Sequence, residues 1–147
     1  YMEKERERAI EKNYASPICE TKKATDECFN TAMTYCLNNL DDISIFIGSH
    51  NEQSNYLAME IMSQFNIAKD DNRVWFGQLY GMSDNLTFNL ATQGVRSMKY
   101  LPYGSVENTF PYLVRRAHEN TSITNDASRE YLMLSEELDR RERARKK

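Results

Sequence analysis

The sequence predicts an α/β fold with parallel strands, and three observations carry that prediction. Short β-branched runs alternate with longer stretches whose apolar residues recur at helical spacing. Each strand-like run is separated from the next by a helix-length segment, as βα units require and hairpins do not. At 147 residues and 40% hydrophobic, the chain can bury one modest core.

In chain order, residues 2–12 are charged and helix-forming, and Pro17 closes the loop after them. Thr25 or Asp26 is the expected cap of a second helix, in which Phe29, Ala32, Met33, Cys36, Leu37 and Leu40 form an apolar stripe. Ile43-Ser-Ile-Phe-Ile47 is the first predicted strand, followed by a helix over 53–66 with Leu57, Ile61 and Phe65 four apart. Arg73-Val-Trp-Phe76 is the second strand, 84–92 a helix, and Ser97–Leu101 the third strand. Pro102 and Gly104 break the chain, and Ser105 is the expected N-cap of the next helix. A final helix carries Tyr131, Leu134 and Leu138 on its apolar side. Three such units do not close a (β/α)₈ barrel, which takes roughly 250 residues.

No apolar run approaches the eighteen or so residues of a membrane span. Cys19, Cys28 and Cys36 are odd in number and lack ligand-pair spacing, so they are expected to be reduced thiols and no metal site is predicted. Residues 139–147 carry a net +4, which leaves −7 for the rest of a chain at −3. This basic tail suits either anionic partners or a solvated helix end, where cations meet the negative pole of the dipole. It lacks the interleaved aromatics and glycines of a nucleic-acid surface, so no nucleic acid is expected.

Tyr112, Arg115, Arg116 and Glu119 stand at offsets 0, 3, 4 and 7 and share one helix face. Two guanidiniums beside a phenol and a carboxylate suit a small carboxylate ligand held by paired hydrogen bonds against an aromatic wall. The same spacing also describes a solvated face with an internal Arg–Glu pair. Spacing alone leaves both readings open.

Four motifs in order resemble one family. Tyr100-Leu-Pro-Tyr-Gly-Ser105 followed by Tyr112-Leu-Val-Arg115-Arg116-Ala-His-Glu119-Asn120 resembles the C-terminal signature of proline dehydrogenases. Phe46-Ile-Gly-Ser-His50-Asn51 resembles that family's Ala-Ser/Thr-His-Asn strand end, and Phe76-Gly-Gln-Leu79-Tyr-Gly-Met82-Ser-Asp84 its Gly-Gln-Leu-x-Gly-Met-x-Asp segment. Tyr1-Met-Glu-Lys-Glu-Arg6 resembles the segment after its Gly-Ala-Tyr strand end. Because the chain opens in mid-pattern, it is expected to be a fragment.

The resemblance implies the C-terminal part of a (β/α)₈ barrel over residues 1–138, about three βα units plus a C-terminal helix, with 139–147 as a basic tail. It implies FAD-dependent oxidation of L-proline to 1-pyrroline-5-carboxylate, with electrons passed to a quinone. Lys99-Tyr-Leu-Pro-Tyr-Gly104 resembles eukaryotic members, which implies the matrix side of the mitochondrial inner membrane. On this footing Tyr1, Lys22, Thr25, Ser49, His50, Asn51 and Leu79 belong to the cofactor site. Arg115 and Arg116 would clasp the proline carboxylate, Glu119 would hold the guanidiniums, and Tyr112, Tyr100 and Tyr1 would border the ring. An aromatic residue at 100 favours proline over 4-hydroxyproline, by shape and by exclusion of an unpaired hydroxyl. The family's upstream catalytic lysine and aspartate lie outside the chain, so the fragment alone is not expected to catalyse. The alternatives are a hydroxyproline dehydrogenase, or a non-catalytic α/β module that binds anions through its basic tail.

Overall fold

Strand order in the computed structural model follows sequence order, as expected for consecutive βα units. The structure describes the backbone of residues 2–119 and 123–145, and the side chains of 2–116 and 131–145. These residues fall into two compact units, Tyr1–Tyr100 and Leu101–Lys147.

The first unit runs α1 (Met2–Glu11), α2 (Lys22–Asn38), β1 (Ile45–Gly48), α3 (Glu52–Gln64), β2 (Val74–Leu79), α4 (Asp84–Thr92) and β3 (Ser97–Tyr100). All three strands are parallel, in the order β1-β2-β3. The register pairs Gly48 with Gly77 and Leu79 with Tyr100. One face of the sheet is apolar and covered. Ile47, Val74 and Phe76 pack there with Met33, Leu37 and Leu40 of the α2 segment, Ala58, Ile61 and Met62 of α3, and Leu86 and Leu90 of α4. Val95 completes this core.

Several boundaries differ from the sequence expectation. The first strand starts at Ile45 rather than Ile43, because Ile43 N–H still bonds to Asn39 O in the turn that ends α2. The second strand runs on to Leu79, since β3 supplies a second neighbour for its outgoing half. Phe65 is exposed at the C-cap of α3, and Ala32 is exposed at the margin of the α2 stripe. The α2 cap is Thr21, not Thr25 or Asp26. Its hydroxyl accepts from Ala24 N–H at 3.1 Å, so the helix begins one turn earlier. Cys19, Cys28 and Cys36 are free thiols, as expected.

The second unit contains α5 (Val106–Glu119) and α6 (Ile123–Arg145). Ser105 directly precedes α5, as predicted, but its hydroxyl accepts from the Asn108 side chain at 3.0 Å. Pro111 lies inside α5, where it removes one intrahelical N–H. In α6, Tyr131, Leu134 and Leu138, the apolar side predicted for this helix, are exposed. The tail is continuous with α6 as far as Arg145. Arg140 and Arg141 both bond to Glu137, and Arg140 first, then Arg141, holds its carboxyl down to about 2.

A half-buried ion pair fastens the start of β2 to the end of α2. Arg73 bonds both oxygens of Asp71, at 2.9 and 2.7 Å, and donates to Leu40 O at 3.2 Å. The Arg73 side chain first, and its backbone N–H second, hold the Asp71 carboxyl down from 3.8 to about 2. A depressed carboxylate pKa contributes stability that is fully present above the unfolded value. That contribution is lost as pH falls from about 4 through about 2. Asp71→Asn is therefore expected to flatten the fall in thermal midpoint over this window. A variant that falls as steeply as wild type would show that the pair contributes nothing to acid stability.

Candidate functional site at the carboxyl ends of the strands

Ser49, His50 and Asn51 follow β1, Leu79 ends β2 and Tyr100 ends β3. The parallel register brings these ends to one edge of the sheet. Strands that stop together leave backbone groups to be satisfied by side chains or solvent. A buried polar network does this here. Asn55, 0% exposed, donates to Ser49 O at 3.1 Å and to Asn51 O at 2.8 Å. Gln78, 2% exposed, donates to the same Ser49 carbonyl at 3.2 Å. Its own carbonyl accepts from Thr87 Oγ1 at 2.8 Å, and that hydroxyl also lies 3.1 Å from Ser83 O.

The sequence expectation gives His50 and Asn51 the same role, and the structure divides them. His50 Nε2 accepts from Leu79 N–H at 3.4 Å, so the neutral ring carries its proton on Nδ1 and donates to Ser83 Oγ at 2.9 Å. Both ring nitrogens are thus engaged within the protein, tying the β1 end to the β2–α4 loop. Asn51 caps α3, its Oδ1 accepting from Gln53 N–H and Ser54 N–H. Its Nδ2 remains as a donor. The Ser49 hydroxyl accepts from Asn51 N–H at 3.1 Å and keeps its own hydrogen.

Asn55, Gln78, Thr87 and Ser83 were not singled out from sequence. A signal was present for Gln78, which shares a strand face with Val74 and Phe76, and for Asn55, one turn from Ala58 on the same helix face. Amides at core positions need partners, and such partners lie at strand ends.

The sheet's second face carries aromatic side chains. Phe46 and Tyr100 are 53% and 54% exposed, and Met98 is exposed beside them. Gly77 admits the Phe46 ring across β2, since a Cβ there would stand 2.3 Å from the ring. Leu79 is half-buried on this face.

The other predicted residues are placed as follows. Thr25 sits within the first turn of α2 with its hydroxyl on Thr21 O at 3.1 Å and its N–H on the same carbonyl. It is not at the helix start, so the capping position expected of Thr25 belongs to Thr21. Lys22 is the first residue of α2, and its ammonium pairs with Asp26 at 2.5 Å. On α5, Tyr112 is half-buried, Arg115 exposed and Arg116 half-buried. Arg116 lies over the Tyr112 ring, 5.3 Å from its centre, as an i, i+4 cation–π pair. Tyr1 and the Glu119 side chain lie outside the described residues.

Consecutive parallel βα units place the chain in the α/β class, and in barrel-type members of that class the carboxyl ends of the strands are where sites lie. The proline dehydrogenase family model matches residues 1–129. The chain belongs to that family. It is 38% identical over 146 residues to proline dehydrogenase 1, mitochondrial, of Dictyostelium discoideum, covering 96% of this chain and 26% of the relative. It is also 38% identical over 145 residues to hydroxyproline dehydrogenase of Xenopus laevis, covering 96% of this chain and 31% of the relative. Among solved structures, proline utilization A from Bdellovibrio bacteriovorus, inactivated by N-propargylglycine, superposes with a TM-score of 0.74 at 29% identity. That match covers 82% of this chain and 12% of the other, and supports the barrel-segment fold. The chain spans less than a third of the length of these curated relatives.

The buried network makes a stability prediction. In the protein that carries this chain, Asn55→Ala should cost about 1–3 kcal/mol, from two lost hydrogen bonds to half-buried carbonyls plus a small cavity. Urea unfolding against the exposed control Gln53→Ala measures this. A value near that of the control would show that water replaces the amide without loss.

Proposed function

We propose that this chain supplies the strand-end cofactor residues and the carboxylate-binding helix of an FAD-dependent L-proline dehydrogenase. The observation that carries this reading is the edge formed by Ser49-His50-Asn51, Leu79 and Tyr100, in a chain that belongs to the proline dehydrogenase family.

The residues present fit a flavin. Asn51 Nδ2 and the Ser49 hydroxyl are donors suited to an acceptor-rich ring edge or pyrophosphate, while Leu79, Tyr100 and the Phe46 ring over Gly77 offer apolar and aromatic contact. Bound flavin would supply the two-electron acceptor for the C–H bond beside the proline nitrogen. His50 fixes the Leu79 segment from behind, and Tyr1, Lys22 and Thr25 retain the cofactor roles that the resemblance implies.

Arg115 and Arg116 bind the carboxylate of L-proline, and Glu119 holds the guanidiniums in place. Tyr112 supports this reading, because its stacking on Arg116 removes rotamer freedom before substrate arrives. A fixed carboxylate orients the ring so that the carbon next to nitrogen meets the acceptor, which is the entropic part of catalysis. Tyr1, Tyr100 and Tyr112 keep the ring-bordering role that the resemblance implies. The product is 1-pyrroline-5-carboxylate. The mitochondrial relative supports that compartment, and, as the sequence resemblance implies, a quinone at the matrix side of the inner membrane takes the electrons. Residues 1–138 form the barrel portion and 139–147 the basic tail.

Proline-dependent bleaching of a bound flavin in the parent protein tests the reading directly; a colourless protein, or one bleached by other amines and not by proline, would refute it. Arg115→Met and Arg116→Met should each raise the proline KM about ten- to hundredfold with flavin retained, the cost of a charge-assisted bond of about 1.5–3 kcal/mol. An unchanged KM would return both arginines to the solvated-face reading. Hydroxyproline dehydrogenase is the second reading, favoured by the Xenopus relative. Tyr100→Ser should shift the kcat/KM ratio toward 4-hydroxyproline, because an aromatic wall is removed where the 4-hydroxyl would project. If wild type already prefers hydroxyproline, the second reading stands.

A further inference from the structure

The β2–α4 loop, Tyr80 to Ser83, breaks two local rules of helix stability at once. Ser83 holds the N-cap position of α4 in the left-handed region, at φ 50°, and its hydroxyl makes no capping bond. A serine is ordinarily favoured there for that bond, and a non-glycine residue is disfavoured in that backbone conformation. In addition, the ammonium of Lys99 is brought to the positive end of the same helix, where a cation is disfavoured. Local conflicts of this kind persist only where the surroundings over-determine them, and they gather at functional sites.

The surroundings do so here. Lys99, whose side chain is 20% exposed, donates to Met82 O and pairs with Asp84 at 2.7 Å. From the end of β1, His50 donates through Nδ1 to the Ser83 hydroxyl at 2.9 Å and accepts through Nε2 from the Leu79 N–H at 3.4 Å. Tyr80 N–H donates to Tyr100 O at 2.9 Å, extending the β2–β3 ladder one residue into the loop. Asn85 donates to Glu52 at 3.1 Å and ties the start of α4 to that of α3. The loop is thus held from β1, β3 and α3, and two of the bonded residues are neighbours of Leu79 and Tyr100.

We propose that Lys99 is a positioning residue. With His50 as the opposing jaw, it clamps the Tyr80–Ser83 loop so that Leu79 and Tyr100 present one fixed ledge. This inference rests on the reading of Leu79 and Tyr100 as cofactor and substrate wall, and it deepens that reading by assigning what holds the wall still. Lys99 projects toward the loop and α4 while Tyr100 is exposed, as alternation along a strand requires, so Lys99 acts on substrate only through its neighbour.

The test uses the parent protein, with Lys99→Met, Lys99→Arg and Ser83→Gly. Hydrogen exchange of the Leu79, Tyr80 and Met82 amides is measured with and without cofactor, alongside kinetics with proline and 4-hydroxyproline. Lys99→Met should speed exchange in this segment at least about tenfold. It should also lower the proline-to-hydroxyproline ratio of kcat/KM at least about threefold. Lys99→Arg should restore both, since a guanidinium also reaches two oxygens. Ser83→Gly frees the His50 jaw while relieving the left-handed strain, so it should speed exchange without lowering the thermal midpoint. Exchange unchanged in Lys99→Met and Ser83→Gly overturns the clamp. Faster exchange with an unchanged substrate ratio, or failure of arginine to rescue, overturns the positioning role. A wild-type protein that oxidises neither substrate refutes the functional reading instead, and the exchange data from the cofactor-free protein then decide for or against the clamp.

Discussion

One backbone carbonyl, that of Ser49, organises the candidate site. It accepts from both Asn55 Nδ2 and Gln78 Nε2, and these two amides come from the helix after β1 and from β2 itself. A strand leaving a parallel sheet exposes such a carbonyl at the moment the chain must turn, and burial makes an unpaired one costly. By sharing it, Asn55 and Gln78 fix where β1 stops. His50 and Asn51 are then the first residues beyond that stop. Thr87 completes the chain by bonding Gln78, so α4 is registered against the same point.

The two faces of the sheet obey different constraints. The helix-covered face is a conventional core of Ile47, Val74, Phe76 and the helical leucines and methionines, and it needs nothing beyond close packing. The other face combines a glycine with large aromatic residues. Gly77 has no side chain because the Phe46 ring occupies that space, and Tyr100 and Leu79 stand further along the same face. A broad, smooth aromatic and apolar surface beside a few donors is what a planar cofactor requires.

Two cations at the ends of the strands act as structural struts. Arg73 joins Asp71 to the Leu40 carbonyl at the amino ends of the strands, and Lys99 joins Met82 and Asp84 at the carboxyl ends. Each cation bonds a carboxylate and a backbone carbonyl together. That combination restrains a loop through the main chain, which a simple surface ion pair does not do. Arg96 adds a third strut, donating to Asp70 O at 2.7 Å and lying over Trp75.

The sequence by itself determined the α/β class, the order of helices and strands, and the position of the site motifs at strand ends. Periodicity and motif spacing are local properties, and each βα unit here is local in sequence. It also placed the Arg115–Arg116 pair on the same helix face as Tyr112, because that requires only 3.6 residues per turn. Tertiary structure decided where the elements stop and which polar groups the fold itself takes up. Thr21 rather than Thr25 caps α2, since several hydroxyls near a helix start are equivalent until the preceding loop is placed. Leu79 rather than Phe76 ends β2, since β3 extends its ladder. His50 braces a loop in addition to standing at the site, and that was invisible in the motif because its partners, Leu79 and Ser83, lie 29 and 33 residues away. Contacts over such separations depend on how the strands register, and registration is a property of the folded sheet.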